Sequence, residues 1–274
     1  MSDSKTDPKD QEAEQDNGEA ANNGTEQLYA TMGIPEGCLL GKRIFKKLFH
    51  ENSQLGTTDK KAFKDDIDKV IWMFKLEPNS VSIPAFNNEE REYLEVAVLQ
   101  VDCKTQKRTG RIAQIIHRAI PYPLMIVFSY DSSILISLAH KRFSQSEKGA
   151  IVADDFHNSP WFDLTSPSAL QSSFLASLKI ASLPNTNLYA FYSGLVERMT
   201  ALDCARLSGS YSIESNNRQV DRKKILQQCR ELETQIAELR KELKGEEQFN
   251  RTFDLGIKIK ELEKQLKQSA DQLK

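Results

Sequence analysis

The sequence predicts a mixed α+β globular domain followed by a C-terminal antiparallel helical hairpin of coiled-coil type, and two stretches carry that expectation. From Ile112 to Arg142 the apolar pattern changes period sharply. Ile112, Ile115, Ile116 and Ala119 recur at helical spacing, Pro121 and Pro123 forbid continuation, and Leu124 to Phe128 is an apolar run of strand length. Tyr130-Asp131-Ser132-Ser133 supplies a turn, after which Ile134, Ile136 and Leu138 alternate with smaller or polar residues as a second strand. Near the C-terminus, Ile225, Cys229, Leu232, Ile236, Leu239 and Leu243 follow the alternating spacing of a coiled-coil seam. A second set, Leu255, Ile259, Leu262, Leu266 and Leu273, is out of phase with the first. Gly245 and a polar stretch lie between them, which favours two antiparallel helices over one rod.

In chain order, residues 1–30 hold eight acidic side chains against Lys5 and Lys9, and this composition predicts a disordered acidic tail. The globular domain is expected over residues 31–207. Ile44, Phe45, Leu48 and Phe49 read as a helix face, with Lys42, Arg43, Lys46 and Lys47 on its wet side. Gly37 to Arg43 resembles a phosphate-binding loop at a glance, but the glycine spacing is too short and Arg43 stands where Ser or Thr would hold magnesium. Asp59 to Leu76 reads as a helix striped by Phe63, Ile67, Val70, Ile71 and Phe74. Val81 to Ile83 is expected to be extended and Tyr93 to Val101 a strand. Asp154 to Ala169 reads as a loop anchored by Trp161 and Phe162, and Leu188 to Leu202 as a helix capped by Asn185 or Asn187. A Ser- and Asn-rich linker at 208–220 leads to the hairpin at 221–274.

Composition narrows function more than it names it. The net charge is −2, and the acidic first 30 residues leave the remainder mildly basic, too weakly for charge alone to imply nucleic-acid binding. Four cysteines lie far apart, without zinc or disulfide spacing, which fits a reducing cytoplasm. No signal segment or membrane-length apolar run is read, and no metal or cofactor is expected. The four histidines belong to no metalloprotease helix, and neither a nucleophile elbow nor a dinucleotide glycine fingerprint occurs. The alternative to a non-enzymatic role is a metal-dependent nuclease, which needs acids beside a strand lysine. Asp66, Glu95, Asp102 and Lys104 are its candidates.

Several short motifs occur together in order: Phe63-x-x-Asp66-Ile67-x-x-Val70-x-Trp72-x-x-Lys75-Leu76, then Arg118-Ala119-Ile120-Pro121-Tyr122-Pro123, Lys141-Arg142, Trp161, Asn187-Leu188-Tyr189 and Gln248-Phe249-Asn250-Arg251. In this combination the chain resembles, over about residues 35–270, the uncharacterised prokaryotic family known as domain of unknown function 4391. His117 departs from the family by standing where an acidic residue precedes the Arg-Ala-Ile-Pro-Tyr-Pro motif. The resemblance implies a cytoplasmic accessory protein encoded beside helicases and DNA methyltransferases of restriction-modification or phage-defence loci. The expectation is therefore an interaction module of a DNA-processing complex. Lys75, Lys104, Arg118, Lys141 and Arg142 would form a basic rim touching phosphate, and Leu232, Ile236, Leu239, Ile259, Leu262 and Leu266 would present the hairpin to a protein partner.

Overall fold

The computed structural model describes residues 19–52, 55–147, 149–213 and 219–273. Within them a seven-stranded sheet is covered on both faces by helices. The strands are β1 (Leu39–Ile44), β2 (Ile67–Leu76), β5 (Val96–Cys103), β6 (Leu124–Tyr130), β7 (Ser133–Phe143) and β8 (Ile151–Asn158), in that spatial order, with β9 (Phe162–Asp163) also on β7. A separate ribbon pairs β3 (Phe86–Asn87) with β4 (Glu92–Tyr93). Only β5 and β6 run parallel, joined across one face by α5 (Thr109–Ala119); the other neighbours are antiparallel.

Strand alternation divides the core into two layers. Val96, Val98, Met125, Val127, Ile134, Ile136 and Leu138 face α1 (Glu19–Met32), α6 (Ala169–Ser177) and α7 (Leu188–Ser208). Ala97, Leu99, Val101, Leu124, Ile126, Phe128 and Leu135 face α5, α3 (Thr57–Asp65) and α2 (Lys46–Asn52). The corner and hairpin expected from Ile112 to Arg142 are present as α5, β6 and β7, with Asp131 taking the left-handed conformation of the tight turn (φ 49°).

The expectation of one helix from Asp59 to Leu76 is corrected. Helix α3 ends at Asp65, and Ile67 to Leu76 is strand β2. The register of β2 on β5 slips between Ile67 and Lys69 and again between Trp72 and Phe74. The first slip leaves Ile67 and Val70 on the same face three residues apart, and the second sends Phe74 and Leu76 to the opposite core. Two bulges therefore imitate helical spacing in a strand rich in β-branched residues. Ile44, Phe45, Leu48 and Phe49 likewise form no common helix face. Ile44 ends β1, α2 begins at Lys46, and Phe49 is buried while Phe45 and Leu48 are exposed. Residues Pro78–Val81 make a helical turn, α4, where the extended segment was expected to start. The segment read as a loop from Asp154 holds most of β8 as well as β9, although Phe162 does anchor it.

Residues 19–30, expected to belong to the disordered tail, are helical instead. Helix α1 begins at Glu19, and Thr25, Leu28, Tyr29 and Met32 are buried, with the last three in the core. The first 18 residues of the expected tail, and 214–218 of the expected linker, lie outside the described residues. Asn187 caps α7 by accepting from Ala190 N at 2.8 Å, and Gly209 closes it with φ 77°. The buried Tyr192 hydroxyl donates to Leu124 O at 2.6 Å and accepts from Ala139 N at 3.0 Å, fixing α7 to β6 and β7. Gly194 faces the chain at Pro184 so closely that an added Cβ would lie 2.5 Å from Pro184 Cδ. Gly194→Ala is expected to lower stability by about 1–2 kcal/mol, overpacking outweighing the gain in helix propensity. A urea midpoint above that of the wild type would contradict this contact.

Helices α8 (Gln219–Gly245) and α9 (Phe249–Asp271) form the antiparallel hairpin. Arg222 Nη2 donates to Leu273 O at one end, Arg240 meets Glu263 midway, and Arg251 meets Glu242 near the turn. Its base rests on α7 through Cys204, Leu226, Cys229 and Leu273, flanked by the Arg206–Glu233 and Arg230–Asp203 pairs. Among the described residues no helix is long and apolar enough to cross a membrane.

A candidate nucleic-acid interface at one end of the sheet

Strand register decides which of the predicted site residues meet. Asp66 follows α3, and Asp102 and Lys104 stand at the C-terminal end of β5, next to the start of β2. Lys104 N donates to Asp66 O at 2.8 Å, so these three do share one end of the sheet. Glu95 precedes β5 at the other end, roughly 20 Å away at strand rise. Both carboxylates at the shared end are engaged. Asp66 is buried and accepts from Arg108 Nε at 2.5 Å and Nη2 at 2.9 Å, and from Thr105 Oγ1 at 3.0 Å. The Arg108 hydrogen bond holds it below the usual carboxylate range against the opposing effect of burial. Asp102 accepts from Ser129 Oγ at 2.5 Å and Gln100 Nε2 at 2.8 Å, and lies 3.5 Å from Lys69 Nζ. Among the described residues no group of three or more His, Cys, Asp or Glu side chains could hold a metal ion.

The predicted basic rim does not assemble. Lys75 pairs with Glu77 and Glu95, Arg142 pairs with Asp154, and the Arg118 guanidinium lies over the Phe156 ring at 5.7 Å. These three sit at the end of the sheet away from Lys104. Lys141 is not on the surface at all: it is 2% exposed, and its ammonium donates to His117 O and to Ile120 O at 2.7 Å, closing the C-terminus of α5. A lysine in an alternating strand reads as solvent-facing, but here its head group satisfies helix carbonyls in place of water.

Of the five, Lys104 finds cationic company. Lys46 and Arg43, at the β1–α2 junction, lie close enough for Lys104 and Arg43 to depress the Lys46 pKa, after burial as the main cause and against Asp68. Lys46 Nζ also donates to Ile67 O at 2.9 Å, which fixes the junction on the start of β2. Residues 42–69 and 102–111 together carry twelve basic side chains against six acidic ones. Four of those acids, Asp59, Asp65, Asp66 and Asp102, are already held by Arg111, Arg108 and Lys69. Lys42, Arg43, Lys60, Lys61, Lys64, Lys104 and Lys107 have no ion-pair partner among the described residues. Between Arg43 and Lys46 the Phe45 side chain is 68% exposed. A concentrated positive potential beside an accessible aromatic ring suits phosphate with an unstacked base. In the sequence Lys42, Arg43, Lys46 and Lys47 read as the wet side of one helix; the turn from strand to helix at Phe45 carries no sequence signal.

The six seam residues predicted to meet a partner are used within the hairpin. Leu232, Ile236 and Ile259 are buried, and Leu239, Leu262 and Leu266 are half-buried. Its exposed apolar row is instead Phe249, Phe253 and Ile257, at 81%, 62% and 44% exposure and four residues apart on α9.

No curated protein and no solved structure matches the chain. A family model does match residues 32–266, spanning the sheet, the basic end and most of the hairpin, and the chain belongs to that family, the domain of unknown function DUF4391.

Proposed function

We propose that the protein is an accessory interaction module that contacts nucleic-acid phosphates through the basic end of its sheet and docks a protein partner through its hairpin. The observation that carries this reading is the meeting of Arg43, Lys46 and Lys104 beside exposed Phe45. Phosphate contact releases counterions from the nucleic acid, and a ring free to stack favours unpaired bases over a duplex. Following the family resemblance, the partner is a component of a restriction-modification or phage-defence complex in the cytoplasm, of helicase or DNA methyltransferase type. Fluorescence anisotropy with labelled single-stranded and duplex oligonucleotides tests the first half. Binding is expected to favour the single strand and to weaken linearly on a log–log plot against salt; no binding at about 50 mM salt would refute it.

The hairpin half rests on the Phe249, Phe253 and Ile257 row, since the seam itself is occupied. Replacing Phe249 and Phe253 with Ser is expected to change stability by no more than about 0.5 kcal/mol, because both rings are exposed, while reducing co-purification with the products of neighbouring genes. Unchanged co-purification would remove the row from the docking surface.

A further inference from the structure

A cleft of about 220 Å³ lies where β7, α7 and α8 meet, lined by His140, Tyr189, Glu197, Arg222 and Lys223 among others. It stands at the opposite end of the sheet from Lys104. The Tyr93 hydroxyl accepts the Lys141 backbone N–H at 3.0 Å, so its own proton is available for His140 Nδ1 at 2.8 Å. That arrangement makes Nδ1 an acceptor and leaves the proton of a neutral His140 on Nε2. Burial, and secondarily the Arg91 guanidinium, hold the imidazole down to about 4, so it stays neutral near pH 7.

The surroundings set two cations, Arg222 and Lys223, and an apolar wall against the single carboxylate of Glu197. Arg222 is buried and fixed by bonds to Ser212 O, Ser212 Oγ and Leu273 O, while Lys223 reaches from the next position to Asp155 at 3.1 Å. The Tyr189 ring, stacked on Phe86 at 5.0 Å with Arg91 over it at 5.5 Å, forms a wall together with Val196 and Ala201. The backbone is distorted at the same place. Register on β8 slips opposite His140, and Asp155 takes φ 52°, a left-handed conformation that costs a non-glycine residue about 1 kcal/mol. Strain of this kind concentrates where side chains are re-aimed for a task.

From this convergence we infer that the cleft binds a small organic anion, a carboxylate or a phosphate monoester, whose charged group takes the place of Asp155 on Lys223, an exposed pair worth little by itself, and accepts from the Nε2–H of His140. The apolar part of the ligand lies along Tyr189. This site is independent of the nucleic-acid reading, because it uses none of Arg43, Lys46 or Lys104.

The test is calorimetric titration of the full chain with inorganic phosphate, benzoate and AMP, alongside ¹⁵N imidazole spectra. At least one probe is expected to bind saturably with Kd below ~1 mM, with Lys223→Gln weakening it about tenfold and Lys104→Gln leaving it unchanged. Preference for AMP over benzoate assigns the phosphate class, and the reverse assigns the carboxylate. Ligand should shift the His140 Nε2 resonance of a ring already in the Nε2–H tautomer. Absence of saturation by all three probes up to ~10 mM would overturn the inference. So would undiminished binding by folded Lys223→Gln protein, or a His140 ring protonated on Nδ1.

Discussion

Lys141→Ala is expected to destabilise the protein by about 3–5 kcal/mol, because it removes a buried aliphatic stem and leaves carbonyls of His117 and Ile120 without their donor. Lys141→Met keeps the stem and removes the charge, so its expected cost is smaller, about 1–2 kcal/mol. The wild type should also carry a pH signature that the Met variant lacks. Burial lowers the Lys141 pKa from 10.5 to about 7, so between those values the unfolded chain binds more protons than the folded one. The penalty for charging this buried group is therefore complete below about 7 and falls away as pH increases from about 7 towards 10.5, so stability rises across that window. The carbonyls at the end of α5 favour the ammonium and limit the size of the effect, but not its sign. Urea unfolding of both variants across this range checks it. A cost below about 1 kcal/mol for Lys141→Ala would mean that the ammonium does not close the helix.

Converting Arg43, Lys46 and Lys104 together to Gln is expected to produce the largest functional change. Each phosphate contact with a single strand contributes about 0.7 to the slope of log affinity against log salt, so losing three should flatten that slope by about 2. Affinity at low salt should fall by roughly two to three orders of magnitude, with little dependence on sequence. Arg43 and Lys104 are exposed and have no ion-pair partner among the described residues, and Gln at position 46 can still donate to Ile67 O, so the fold should survive. Lys75→Gln with Arg142→Gln is the informative control. Their charges are committed to Glu77, Glu95 and Asp154 at the other end of the sheet, and their loss should leave the salt slope unchanged.

Local pattern is legible wherever independent signals agree. Strands β5 to β7 and helix α5 were readable because alternation, prolines and a turn agree there, and the hairpin because two heptad sets differ in phase. Strand β2 was not, since its two bulges turn a period of two into an apparent helix. Helix α1 was hidden by acidic neighbours, although Leu28, Tyr29 and Met32 supply its buried face.

The candidate interface was still less legible, for a topological reason. It draws Arg43 and Lys46 from the β1–α2 junction and Lys104 from the end of β5, and only the register of β2 between those strands brings them together. The sequence singles out Lys104, but groups it with lysines and arginines that pairing, burial or position removes from the same surface. Charge alone does not separate Lys141, which satisfies carbonyls inside the protein, from Lys104, which faces solvent.

The measurement that tests the central claim most directly is ultraviolet crosslinking of the full chain to a single-stranded oligonucleotide at about 50 mM salt, followed by mass mapping of the modified peptides. Crosslinks are predicted on the segments containing Phe45 and Lys104, and they should disappear when Arg43, Lys46 and Lys104 are replaced together. Crosslinks confined to the hairpin or to the Lys75 and Arg142 end of the sheet, or none at all, would contradict it.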